Sequence, residues 1–219
     1  MVAGILTGNE VVLPQEWYLS KEKHDAQQAA LYPRDVQKQI DFAGSINRRV
    51  GLDMASLYAK LSRAAIPFDE FMVQNAALGQ TLERMKNILI AVDDPEHTVQ
   101  TFPDQRPLTE EDPFNPYIPG VLHQGPLWRL NFAWIDYLST KTMYLYQSCR
   151  ALQQPLTEPE NLALEQCQLI EAITRRPNKE NGYFLSFNNC MGISCLLLPK
   201  DEKHIMWARR KLVQMEQNG

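Results

Sequence analysis

Residues 69–92 read DEFMVQNAALGQTLERMKNILIAV, and within them Phe71, Asn75, Leu78, Leu82, Met85, Leu89 and Val92 recur at spacings of 4-3-4-3-4-3. That period gathers the named side chains on one face of a helix, whereas a strand would scatter them over both of its faces. At about 1.5 Å per residue the stripe is roughly 30 Å long. An apolar seam of this length needs something to pack on. Asn75 is its polar member: in a coiled coil it would set register or oligomer state, and within one domain it would bond a neighbouring polar group. The heptads stop after three repeats, so the seam is read as packing inside its own domain.

Upstream, Val36, Ile40, Ala43, Ile46 and Val50 recur at three and four residues, with Pro33 before them and Gly51 after, which predicts a helix from Arg34 to Val50. Met54, Leu57, Leu61 and Ala64 predict a second from Asp53 to about Ala65, stopped by Pro67. Residues 3–13, with Gly8-Asn9 between two apolar runs, read as a short hairpin or extended arm.

Downstream the pattern breaks. Seven of the chain's 14 prolines lie between Pro95 and Pro126. Each fixes φ and removes a backbone donor, so neither a helix nor a central strand can run through. Phe102, Phe114, Tyr117, Ile118, Val121 and Leu122 are interleaved with the prolines. A purely solvated linker holds few such residues, so the segment is expected to be ordered, with Phe114, Tyr117 and Ile118 as anchors on this chain or on a partner.

Beyond it, Leu127 to Leu152 reads as an aromatic-rich, central helix, and Thr157 as the N-cap of the next, with Glu158, Pro159 and Glu160 in its first turn. Tyr183–Phe187 and Ile193–Leu198 are β-prone runs around Asn188 to Gly192, which predicts a hairpin. A last helix is expected to carry Ile205, Ala208, Leu212 and Met215 on its buried face and Arg209, Arg210 and Lys211 outside it. The fold class is therefore mainly α: about six helices, a small β-hairpin and a long proline-rich irregular segment between two helical halves. The parts are 1–92, 93–126 and 127–219, and they are compatible with one continuous domain.

The 219 residues are 44% apolar and 22% charged, with a formal net charge of −4. This supplies a core and gives no global attraction for nucleic acid or an anionic membrane. No apolar run is long enough to span a bilayer, and the first residues lack the basic and apolar regions of a secretory signal. Cys149, Cys167, Cys190 and Cys195 are read as reduced, mostly buried thiols, which favours a cytoplasmic protein. Charge is uneven. Asp93 to Asp112 is acidic, whereas Arg175 to Lys211 is basic, so the two can attract each other or face a partner.

Chemistry-bearing motifs are absent. Asp93-Asp94-Pro95-Glu96-His97 matches no metal template and reads as a turn after a helix. Cys190 and Cys195 have the spacing of a zinc pair, but no fourth ligand accompanies them and His204. Phosphate loops, dinucleotide fingerprints and nucleophile elbows are missing. The helix following Pro67 opens on Glu70, Phe71, Met72 and Val73, which suits no DNA base edge. The expectation is a non-enzymatic protein-interaction or assembly subunit of a larger complex, without cofactor or metal. It would bind another protein or its own copies through helical surfaces and the proline-aromatic segment, with Phe114, Tyr117, Ile118, Arg209, Arg210 and Lys211 as contact residues. The alternatives are a nucleic-acid-associated protein using the basic C-terminal part, or an enzyme with a motif-free site near 93–123.

Overall fold

A computed structural model describes residues 15–103, 105–176 and 188–218. They form seven α-helices: α1 (Gln15–Leu31), α2 (Val36–Ser62), α3 (Phe68–Ala91), α4 (Leu130–Leu152), α5 (Thr157–Thr174), α6 (Asn188–Leu197) and α7 (Glu202–Asn218). The chain divides into two compact units. One runs to Asp93 and adds Tyr144–Gln154; the other holds Asp94–Met143 and the chain from Pro155 onward.

In the first unit α2 packs on both α1 and α3. Asp35 caps α2 by accepting from the Lys38 backbone N–H at 3.2 Å. The two helices expected between Arg34 and Ala65 are one. Gly51 lies buried inside it, and Asp53 ties back to Arg49 at 3.5 Å instead of starting a new helix. A single helical glycine costs only about 1 kcal/mol, which the packing of Val50, Met54 and Leu57 outweighs. On α3 Phe71, Asn75, Leu78, Leu82, Met85 and Leu89 are all buried, so the 4-3 seam is the core face of this unit. Asn75 sits in a polar knot: it accepts from Tyr58 Oη at 2.9 Å and donates to Ser148 Oγ at 3.0 Å. Tyr144 Oη donates to its carbonyl at 3.1 Å.

Helix α1 was not anticipated, because its inner face mixes sparse apolar positions with acidic ones. Tyr18, Asp25 and Ala29 are its buried positions. Asp25 is held by Lys21 and Ser45, and Glu22 by Arg49. A helix seated on carboxylates gives almost no apolar periodicity to read.

In the second unit, two 3-10 turns, Pro95–His97 and Gly125–Leu127, stand near the ends of the stretch between α3 and α4. An isolated antiparallel bridge joins Thr98 to His123. Val99 N–H donates to Leu122 O at 2.8 Å and Gln124 N–H to His97 O at 2.8 Å, so the segment's two ends are pinned together. Gly120, with φ +79°, takes the left-handed turn that lets its own N–H reach Val99 O at 2.9 Å.

The expected hairpin is corrected here. Asn188–Leu197 is the helix α6, and residues 183–187 lie outside the described residues. Along α6 and the residue after it, Cys190, Met191, Ile193, Ser194, Leu197 and Leu198 are buried while Gly192 and Leu196 are exposed, a helical repeat. A short continuous apolar run fits strand or helix equally well, and burial on α5 decides for helix. The last helix is also turned about its axis. Its buried face is His204, Trp207, Lys211 and Met215, and Ile205 and Leu212 point to solvent.

Candidate functional site

The second unit gathers its polar chemistry where the end of α5 faces α7. Acids at Glu158 and Glu160 in the first turn of α5 suit its N-terminal dipole. The helix begins at Thr157 itself, one residue earlier than a Thr157 cap would place it. The inner face then carries Ala163, Cys167, Ile170 and, four residues after Cys167, Glu171 with only 2% of its surface exposed. A carboxylate this deep must be paired.

It is paired on both oxygens. Arg175 Nε donates to Oε1 at 2.5 Å; Trp207 Nε1 at 2.8 Å and Lys211 Nζ at 2.6 Å reach Oε2. Burial pushes the Glu171 carboxyl up, but Lys211, Arg175 and Trp207 outweigh burial and hold it below its ordinary value. Lys211 also donates to Thr174 Oγ1 at 2.5 Å, and its ammonium lies 5.9 Å from the Trp207 ring centroid.

The proline-rich segment supplies the third side. The Phe114 ring meets Trp207 edge-on at 4.6 Å and His204 at 5.6 Å. Gln168 of α5 clamps the next residue: its side-chain carbonyl accepts from Asn115 N–H at 3.1 Å and its amide donates to Asn115 O. Asp112 accepts from Thr109 N–H and Oγ1 through Oδ2, both at 3.0 Å, leaving Oδ1 at 3.7 Å from Arg175 Nη2. The Thr109 backbone bond, with help from Arg106 and Arg175, lowers the Asp112 carboxyl. An acid from the acidic stretch thus touches a base from the basic one, as the charge pattern allowed.

Around these groups opens a polar cleft of about 370 Å³, lined by Glu171, Thr174, Arg175, Trp207, Arg210 and Lys211 among others. Three of those residues are cations and one is an anion. Arg209 and Arg210 are exposed. Lys211 is buried on Glu171, and Phe114 is buried on Trp207. Tyr117 and Ile118 are half-buried, with Tyr117 edge-on to Phe102 at 5.6 Å. Glu171, Trp207 and Thr174 were not singled out from the sequence. The spacing of His204, Trp207, Lys211 and Met215 at i, i+3, i+7 and i+11 was the available signal, hidden because two of the four are ionisable.

Outside the cleft, α7 turns Ile205, Met206, Leu212 and Val213 outward, each at least 38% exposed. They form two pairs seven residues apart on one broad face, with the exposed Glu202, Arg209 and Glu216 running between the two columns. On the edge beside Met206 and Val213 the exposed charges are Lys203 and Arg210.

The other sequence candidates take structural roles. Asp94 caps the first 3-10 turn, accepting from Glu96 N–H at 3.0 Å and lying 3.0 Å from His97 Nδ1. Cys149, Cys167 and Cys190 are buried thiols outside any disulfide; burial pushes Cys190 up to about 12 and Cys167 higher still. Among the described residues no group of three or more His, Cys, Asp or Glu is arranged to hold a metal ion. No described helix is long and apolar enough to cross a membrane. No protein-family model matches the chain, and comparison with curated proteins and with solved structures returns no match.

Proposed function

We propose that this protein is a non-enzymatic interaction or assembly subunit that holds a partly apolar segment of another protein against the outer face of α7. The observation that carries the reading is the stripe Ile205, Met206, Leu212 and Val213, left in water on a helix whose opposite face is already fully engaged. Covering such side chains is worth about 1.5 to 3 kcal/mol each when burial is complete. The exposed charges on this face are mixed, Glu202 and Glu216 beside Lys203, Arg209 and Arg210, so charged groups of both signs can flank the apolar contact.

Two of the basic groups that nucleic acid would need are committed elsewhere. Lys211 is buried on Glu171 and Arg175 is shared between Glu171 and Asp112. What stays outward is too sparse for a phosphate-tracking groove, which favours a protein partner. The proline-aromatic segment then acts through support: Phe114 and the Gln168 clamp fix the inner side of α7 and α5.

The test is gentle size-exclusion of native host extract, followed by reconstitution of the copurifying partner with purified protein. The expected result is a complex heavier than the 25.2 kDa chain, whose affinity falls at least about tenfold, or 1.4 kcal/mol, in Leu212→Asp/Val213→Asp. Migration as a lone chain, a homodimer of the purified protein, or an unchanged affinity in the double variant would each overturn the reading. So would RNA or DNA as the bound component.

A further inference from the structure

Building on the reading of α7 as the partner-facing helix, we infer that the segment it receives is itself an α-helix, one that sets a basic, an acidic and a basic side chain, seven residues apart, opposite Glu202, Arg209 and Glu216.

These three charges have no partner on their own helix. Side chains three and four residues apart are the neighbours on a helix surface. For Arg209 those positions are Ile205, Met206, Leu212 and Val213, all apolar and all exposed. Glu202 has Ile205 and Met206 in the following turn, and Glu216 has Leu212 and Val213 in the preceding one. Among the described residues no ion pair engages Glu202, Arg209 or Glu216.

The charges run between the two apolar columns. Covering Ile205 and Leu212 on one side together with Met206 and Val213 on the other therefore takes Glu202, Arg209 and Glu216 out of water as well. A purely apolar occupant would bury all three unpaired, which offsets the gain from the apolar contact. The occupant that fits brings a base to each glutamate and an acid to Arg209. The order of signs, minus, plus, minus, reads the same from both ends, so a helix running in either direction meets it.

The spacing selects the occupant's conformation. The columns repeat every seven residues, about 10.5 Å along the axis. A helix with a heptad pattern repeats at that distance and packs at about 20° to its neighbour. Side chains on one side of a strand recur about every 6.8 Å, so a strand whose ends meet the two glutamates places none beside Arg209. A polyproline helix, at about 9.3 Å per turn, falls about 2.4 Å short over the two repeats. The receiving helix is already fixed: Trp207 and Lys211 hold its inner face on Glu171, and Asp201 caps its start by accepting from His204 N–H at 3.0 Å. Docking then orders the partner alone.

The probes are three fluorescein-labelled helical peptides of about three heptads, each with leucines flanking one charged column. The first carries Lys, Glu, Lys in that column. The second carries Glu, Lys, Glu, with its net charge matched on the far face. The third is the first with a central proline on the far face, which breaks the helix and leaves the contact residues unchanged. Fluorescence anisotropy with the full chain at low ionic strength is expected to show the first binding at least about fivefold tighter than the second and about tenfold tighter than the third, with the charge preference shrinking as salt is added. Glu202→Lys/Arg209→Glu/Glu216→Lys, three changes at exposed positions, should reverse the order of the first two. No binding of the first peptide at about 1 mM protein, equal affinities for the first and second, equal affinity for the proline peptide, or an unreversed order in a triple variant that keeps the native urea midpoint would overturn the inference. The two readings fail separately. If the partner recovered from extract needs Leu212 and Val213 but binds the triple variant as tightly as the native protein, the charge-matched helix falls and the interaction face stands. If the peptides sort as expected while α7 holds no partner in extract, the subunit reading falls and the face keeps its preference for a helix.

Discussion

Trp207 donates its indole N–H to Glu171 across 2.8 Å, and both side chains are buried. The bond joins α7 to α5 through a charge that Lys211 and Arg175 neutralise. Removing one member of such a set strands the others. Glu171→Gln is expected to destabilise the protein by about 3 to 5 kcal/mol in urea unfolding at pH 7, because Lys211 keeps a buried charge without its counter-ion. Adding Lys211→Met to it should restore part of that loss; a double variant less stable than Glu171→Gln would contradict the account.

The same carboxyl gives a sign for acid. Its folded value is lowered below the ordinary 4.5, so its stabilising contribution is complete above that value and is lost as pH falls from there through the folded value. The unfolding free energy of the native protein should therefore drop between about pH 4.5 and the acid limit. Glu171→Gln should show a shallower decline over that window, and parallel curves would refute the assignment.

Leu82 is fully buried in the middle of the α3 seam. Leu82→Ala should cost about 2 to 5 kcal/mol, the range for large-to-small changes at packed sites, with no change in the urea m-value. A loss under about 0.5 kcal/mol would mean that the seam is not the core of its unit.

That seam was legible because nearly all its members are apolar and its one amide keeps the period. Where polar groups take over the buried face, periodicity fails. Ile205 and Leu212 were assigned to the inside of α7 because they are apolar, yet Trp207 and Lys211 take that place once Glu171, 36 and 40 residues away in sequence, supplies their partner. α1 escaped for the same reason, its inner Asp25 being meaningful only beside Ser45. Asn188 to Leu198 was ambiguous in another way, since a short apolar run has no period to read. The basic groups themselves were visible as charges. What local sequence does not carry is which of them, like Lys211, would be spent inside the fold.

Gly79 predicts a coupling. A Cβ there would lie 2.7 Å from Tyr144 Oη, the hydroxyl that donates to Asn75 O. Alanine favours a helix over glycine by about 1 kcal/mol, and the clash opposes that gain. Gly79→Ala should thus be more favourable in a Tyr144→Phe background than in the native protein by about 1 kcal/mol, read from a double-mutant cycle of urea midpoints. Additive effects would show that Tyr144 moves aside freely.

The clamp between Gln168 and Asn115 predicts how the proline-rich segment behaves. Asn115 N–H and C=O both bond the Gln168 amide group, a two-point link from the segment to α5 that no other side chain duplicates at that residue. One residue earlier, Phe114 supplies the apolar half of the attachment by packing on Trp207. Gln168→Ala removes the polar half alone. The exposed stretch from Gln105 to Glu111 precedes this anchor and carries Arg106, a trypsin site, with Pro107 after it slowing cleavage there. Thermolysin, which cuts before apolar residues, has Leu108 available in the same stretch. Local opening should govern cleavage when reclosing is fast, so the rate reports the free energy of detachment. Gln168→Ala is expected to raise the thermolysin rate at Leu108 about five- to thirtyfold, since the two part-buried bonds are worth about 1 kcal/mol each, and to lower the global unfolding free energy by no more than the same amount. Equal rates in the two proteins would show that Phe114 alone holds the segment.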